Sequence, residues 1–458
     1  MVHDKRRKVL SVLVGALASG AYWAGVRPSG YGCGPSLGLL LGFYWLLLVY
    51  YTQPESRFPT RNLYVLLVFV IGFSIGGTQG YGQYNQWIKG MFHYDIANNI
   101  FIDISPAVGF LHLFTCGLTW GGFPALLLAW IMYCKNDAIE WVTRVALALG
   151  GYFVVQLLLQ VFPQLFLPFY NTGIYSDLGG CPDCQRTIDT AGNTWGYFGA
   201  FMFLVIYTLL RNKQAMRIIL PISLGFAITF GFGGFLHRGN IPGSPLEFLP
   251  WWKFWEFTCG FGGGLSVFIT FWLVNQAGDI KRNMQCHEHA KPVAHVAGFW
   301  IPLFVAVGEL GRDRLYQAGK LLFKVYGIDH RDAFQYAGYA FIAVVVLLFL
   351  WKLRVQVRDI KLMAGSLDSL FITNPTPVFV GIYVGFYELA YLSWIRAPFT
   401  LLTFTIPILT ASSVILSLIL LQFVKRSPGE GLEAGNTMIK EERHPTPNIA
   451  EGRDFPSK

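Results

Sequence analysis

Charged and titratable side chains within long apolar stretches are the first candidates for chemistry here. A charge in hydrocarbon is costly and persists only where it is paired, hydrated or used. Glu388 stands in the middle of Val384-Gly385-Phe386-Tyr387-Glu388-Leu389-Ala390-Tyr391, and Glu309 lies near the end of another stretch with Arg312 three residues on. His112 falls about two helical turns inside a third. His237 and Arg238 close a fourth stretch and Glu256 opens the next on the same side, so these three could pair with one another. For Glu388 a functional role is the better reading. Gly381 and Gly385 share its helical face and would form a small-residue groove beside the carboxylate.

Two loops on that same side extend the candidate set. Gln79 to Tyr94 interleaves Gln79 and Gln83 with Tyr81, Tyr84 and Trp87, and the later loop carries His237 and Arg238 ahead of Trp251, Trp252 and Trp255. Aromatic faces among amides and cations suit stacking on sugars and hydrogen bonding to hydroxyls or head groups. An ordinary interfacial aromatic belt reads the same way.

Cys181-Pro182-Asp183-Cys184 predicts a local disulfide on an oxidising face. A zinc site would need more ligands, and Cys286, His287 and His289 fall on the opposite side of the membrane. Gly72-Phe73-Ser74-Ile75-Gly76 has nucleophile-elbow spacing, but its apolar helical setting lacks the strand–turn–helix that motif requires. There is no Gly-Lys-Ser/Thr phosphate loop, no His-Glu-x-x-His and no Asp-x-Asp. No cofactor and no metal are implied.

The elements that would position these residues are membrane helices. Of the 458 residues 53% are hydrophobic and only 13% charged, about half the charged share of a soluble domain. Apolar runs able to cross about 30 Å of hydrocarbon fall at 9–27, 34–51, 62–80, 105–133, 145–168, 195–210, 216–236, 254–275, 297–311, 335–351, 376–394 and 399–424. The expected fold is therefore an all-α polytopic bundle of about twelve transmembrane helices spanning 1–426, followed by a disordered cytoplasmic tail, 427–458. With the amino terminus inside, inner segments hold 24 of the 35 Lys and Arg and outer segments 11, five of them between Arg312 and Arg331. That bias predicts a multi-pass protein of the cytoplasmic (inner) membrane with both termini cytoplasmic. Lys5-Arg6-Arg7-Lys8 ahead of Ala16-Leu17-Ala18 resembles a signal peptide, yet the apolar run continues through Tyr22 and Trp23, which favours a retained helix.

A parallel internal repeat is also suggested. Gly76-Gly77 and Gly233-Gly234 each precede, after one outer loop, the word Phe-Thr-Cys-Gly at 114–117 and 257–260. Gly117 and Gly121 recur as Gly260 and Gly264. Four-helix repeats near 9–133, 145–275 and 297–424 would follow, an arrangement common in transporters.

Function is read less sharply. The leading expectation is an ion-coupled secondary transporter of a small polar or anionic solute. Gln79, Gln83, His112, His237, Arg238 and Glu256 would contribute to substrate binding, with Glu309, Arg312 and Glu388 in the cycle. The alternative is an intramembrane transferase acting on a lipid-linked or envelope glycan at the outer face, with His112 or His237 as general base. The expected partners are membrane lipids and a small-molecule or glycan substrate. Homo-oligomerisation is left open, and scattered short clusters of Lys and Arg argue against nucleic acid.

Overall fold

The computed structural model describes residues 2–26, 34–52, 60–275 (177 and 242 excepted), scattered positions between 312 and 330, 331–356 and 401–424. The described residues are mostly helical: α1 (Val2–Val26), α2 (Pro35–Thr52), α3 (Thr60–Gly77), a short α4 (Tyr84–Trp87), α5 (Pro106–Tyr133), α6 (Ala138–Val161), α7 (Cys184–Arg211), α8 (Met216–Gly234), α9 (Trp251–Val274), α10 (Arg331–Gln356) and α11 (Leu401–Val424). Eight helices among them are long and apolar enough to cross a membrane, and Pro35–Val49 and Tyr64–Gly77 are shorter apolar helices. The protein is membrane-embedded. The expected spans at 297–311 and 376–394, and the tail, lie outside the described residues.

Element ends differ from the apolar runs for local reasons. α6 starts at Ala138, where the Asp137 side chain caps it by accepting from Glu140 N at 2.8 Å, and it stops ahead of Pro163, which cannot donate within a helix. α7 begins at Cys184, ahead of the apolar run at 195–210, whose start is late because the first three turns or so of the helix are polar. The outer connection between α3 and α5 contains α4 and a hairpin, β1 (Met91–Asp95) paired antiparallel with β2 (Ile100–Asp103). An Asn-rich turn closes the hairpin: Asp95 Oδ1 accepts from Asn98 N at 3.1 Å, and Asn99 takes the left-handed conformation that asparagine tolerates.

Six helices pack in a closed circuit, α1 on α9, α9 on α8, α8 on α5, α5 on α3, α3 on α2 and α2 on α1. α7 packs outside α5, α6 outside α7, and α11 against α1. The centre of the circuit is aromatic. Trp23 lies 5.8 Å from Trp120 and 5.6 Å from Phe230 between ring centroids, while Phe73 meets Phe226 at 5.4 Å. α1 is tied into this core through Tyr22 and Trp23, both buried.

Close helix approach explains the glycine spacing. Gly72 and Gly76 of α3 rest on the backbone of Pro124 and Trp120 in α5, where a side chain would collide with main-chain atoms. Both pairs suggested by the repeat, α3 with α5 and α8 with α9, are packed. The shared word serves different neighbours, however. Gly117 and Gly121 face Phe226 and Phe230 of α8, whereas Gly260 and Gly264 face Ser19 and its neighbours in α1.

Candidate functional site

α3 stops at Gly77, beside Trp120 in the middle of α5, so the chain leaves helical conformation well inside the bundle. Thr119 Oγ1 donates to Gln79 Oε1 at 2.9 Å, and Gly109 of α5 lies against the backbone of Trp87 and Ile88. Gln79 to Ile88 thus runs alongside α5 from Thr119 to Gly109, about 15 Å at the helical rise. Apart from the single turn of α4 this backbone is non-helical, which at such depth is tolerated where it is buried in protein or lines a cavity. Gln79, Tyr81, Gln83, Tyr84, Asn85, Trp87 and Ile88 are all buried.

The aromatic members of this segment are anchored. Tyr81 packs on Trp120 at 5.4 Å and Trp255 at 5.3 Å, and the Tyr84 hydroxyl donates to Thr194 Oγ1 at 3.0 Å. The amides are less well served. Gln79 Nε2, Gln83 Nε2, both side-chain ends of Asn85, Trp87 Nε1 and His237 Nε2 are buried without a partner among the described residues. Other such atoms are scattered through the bundle, including the Trp23 and Trp45 indoles. An unpaired buried polar group costs about 1–3 kcal/mol, so a set concentrated in one segment needs an explanation.

Beside this segment a cleft of about 350 Å³ opens, lined by Lys89, His237, Asn240, Glu247, Trp251 and Trp252 among others. Lys89 Nζ donates to Asn240 Oδ1 at 3.2 Å. Burial pushes the Lys89 ammonium below its ordinary range, with the Glu247 carboxylate opposing. His237 sits between the Trp252 and Trp255 rings, at 5.0 and 5.1 Å between centroids. Trp252 is held in turn, since its indole N–H donates to Glu256 Oε1 at 2.6 Å.

Glu256 does not pair with His237 or Arg238. Its partner is Lys253, one turn earlier on α9, and both are almost fully buried. The spacing places the two on one helical face, and Lys253 Nζ also donates to the Ala24 carbonyl at 2.8 Å in the last turn of α1, where helix carbonyls lack intrahelical donors. Arg238 points outward and is exposed. His112 lies beneath the cleft, enclosed by Tyr84, Trp87 and Trp195, with both ring nitrogens occupied. Nδ1 meets the Val108 carbonyl at 2.9 Å and Nε2 accepts from Trp195 Nε1 at 3.3 Å, which gives it a neutral scaffold role here.

The structure therefore brings Gln79, Gln83, His112, His237 and Glu256 to one end of the bundle. Arg312 packs elsewhere, against Gly338 of α10. Glu309, Glu388, Cys286, His287 and His289 lie outside the described residues. Cys181 and Cys184 are joined by a disulfide at the start of α7. Lys89, Asn85, Asn240 and Glu247 were missed as site residues. Lys89 is the sole cation in its aromatic loop, a signal that could have been taken up. No group of three or more metal-ligating side chains occurs among the described residues. Compared with family models, curated proteins and solved structures, the chain matches none.

Proposed function

We propose that the protein is a secondary transporter of a small, acceptor-rich solute, polar or anionic, which it binds at the Lys89–His237 cleft and passes along the amide-bearing segment Gln79 to Ile88 beside it. The observation that carries this reading is the character of the unpartnered groups. Among the described residues, the buried segment beside the cleft carries unpartnered N–H donors on Gln79, Gln83, Asn85 and Trp87, against one spare acceptor, Asn85 Oδ1, and His237, which lines the cleft itself, adds an unpartnered ring nitrogen, Nε2. Buried donors without acceptors suit carboxylate, phosphate or hydroxyl oxygens, and Lys89 at the mouth adds attraction for an anion. A site where a membrane helix is interrupted is a recurring transporter feature. By the charge bias the cleft faces outward across the cytoplasmic membrane, with the amino terminus inside. Glu388 and Glu309 remain the proposed coupling groups, taking up a proton or sodium ion during the cycle.

Reconstituted vesicles tested with a panel of carboxylates, phosphate esters and sugars should accumulate one class. Asn85→Leu and His237→Gln should reduce that flux at least tenfold while the protein still inserts. Flux unchanged in both variants would remove the cleft from the pathway.

A second reading is an intramembrane transferase working on a glycan at the outer face. It is favoured by the one-sided cleft, beyond which the aromatic centre around Trp23, Trp120 and Phe230 is tightly packed. His237 beside Glu247 would then act as acid and base. Product formation without solute flux would select this reading.

A further inference from the structure

At the opposite end of the bundle, the α5–α6 turn and the last turn of α7 enclose a pocket of about 210 Å³ that the reading above does not use. Arg144, only 3% exposed, is fixed in its wall. It donates to Asn136 Oδ1 at 2.8 Å and to the Lys135 carbonyl at 2.7 Å, and its guanidinium lies over Trp130 at 4.5 Å and Trp141 at 5.1 Å. Its Nε is buried without a partner among the described residues. Arg211, on the α7 side, has 64% of its side chain exposed.

Charge in the pocket does not cancel. Lys135 is matched by Asp137. Glu140 lies 3.8 Å from Arg144 and 4.0 Å from Arg211, and it accepts from the Tyr207 hydroxyl at 2.7 Å. Among the described residues two guanidinium groups therefore face one carboxylate, leaving one positive charge in excess. A phosphodiester carries one negative charge and presents oxygens that arginine recognises well.

The surroundings indicate where that phosphodiester comes from. Beside the pocket, Ile139, Val142 and Val145 of α6 are 79%, 69% and 55% exposed, and Ile206 and Leu210 of α7 are 50% and 80% exposed. In a membrane these apolar faces meet acyl chains. A ligand seated on Arg211 would thus have a polar pocket for its head and adjoining apolar helix faces for its tails.

We propose that this pocket binds the phosphodiester headgroup of an anionic membrane phospholipid, with Arg211 and Arg144 as the cationic contacts and its chains along α6 and α7. Basic pockets between membrane helices at a positively charged end are a known form of lipid recognition.

The test is thermal unfolding of the purified, delipidated full-length protein in detergent. Phosphatidylglycerol should raise the midpoint by several degrees more than phosphatidylcholine. Arg211→Gln should weaken the apparent affinity about fivefold, the worth of one cation near an anionic lipid surface. Arg211→Lys should retain most of it, and Arg238→Gln, at the other end, should leave it unchanged. Equal shifts with the two lipids, or an undiminished response in Arg211→Gln, would overturn the proposal. A shift of the same size with glycerol 3-phosphate would overturn the lipid assignment in favour of a soluble phosphoester.

Discussion

Lys253 and Glu256 are opposite charges buried together in a membrane helix, so removing either deprives the other of this countercharge. Losing one partner of such a pair typically costs about 3–5 kcal/mol, because the remaining charge keeps its desolvation penalty without its attraction. Glu256→Gln should therefore lower detergent-phase stability by that order, while Lys253→Met combined with Glu256→Gln recovers most of it. A single variant as stable as the parent would show that water reaches the pair. His93 in β1 gives a pH-dependent counterpart outside the membrane spans. Burial lowers its pKa from the ordinary 6.5, with the Asp183 carboxylate opposing and Arg186 and Lys89 reinforcing. The folded hairpin thus prefers the neutral ring. Its contribution is complete above the unfolded value of 6.5 and is lost as pH falls through the lower folded value. Amide exchange in Met91–Asp103 should accelerate as pH drops below about 6.5, after correction for intrinsic rates. His93→Phe should flatten that dependence, and a parent profile already flat between pH 7 and 5 would contradict the assignment.

At the scale of elements, the hairpin is secured by its neighbour in space. Asp183 Oδ2 accepts from Ile96 N at 2.6 Å and Asp183 N approaches the Tyr94 carbonyl at 3.4 Å, and the Cys181–Cys184 disulfide brackets this aspartate at the head of α7. A bond closing so short a loop removes little entropy from the unfolded chain, so its effect should be local. Replacing both cysteines with serine should raise amide exchange in β1 and β2 roughly tenfold or more, with little change in the global melting point. Two free thiols in the intact mass of rapidly alkylated protein would sink the disulfide itself. Helices were legible from the sequence wherever they are apolar along their length, as in α5 and α9. The first three turns of α7 were not legible, because Cys184–Thr194 is polar and packs only on one side. The early end of α3 was equally hidden: Gln79 to Ile88 reads as a loop between spans, and only packing against Gly109 and Thr119 draws it into the bundle. Glu256 and Lys253 stand at helical spacing in the sequence, yet pairing by charge alone puts Glu256 with His237 and Arg238 and passes over Lys253, which α9 places on the same face. Glycine spacing announced close approaches without naming the helices involved, as Gly117 on α8 and Gly260 on α1 illustrate.

For the molecule as a whole, charge and packing bear on orientation from separate directions. Lys8 lies over the Trp272 ring at 5.1 Å, and Arg217 donates to the Leu273 carbonyl at 2.6 Å, which puts the start of α1, the start of α8 and the end of α9 at one end of the bundle. At that same end Arg144 closes on the α5–α6 turn through Asn136, and Asn212 ties the α7–α8 turn to it, its Nδ2 donating to the Tyr133 carbonyl at 2.7 Å. Lys8, Lys135, Arg144, Arg211, Lys213 and Arg217 therefore share an end, and Lys89, Arg186, Arg238 and Lys253 share the other, where the cleft opens. Basic residues in short connections are retained on the cytoplasmic side during insertion, so the crowded end should be cytoplasmic and the cleft external. Reporter fusions within the full-length chain at Lys213 and Gly179 test this directly. Lys213 connects α7 to α8 at the basic end and should report inside; Gly179 precedes the disulfide at the cleft end and should report outside. Because only α7 separates the two positions, a lost or extra span elsewhere cannot produce a false agreement. Both reporters on one side would mean that α7 does not cross the membrane. Both inverted would put the cleft in the cytoplasm and turn the proposed solute site to face the cell interior.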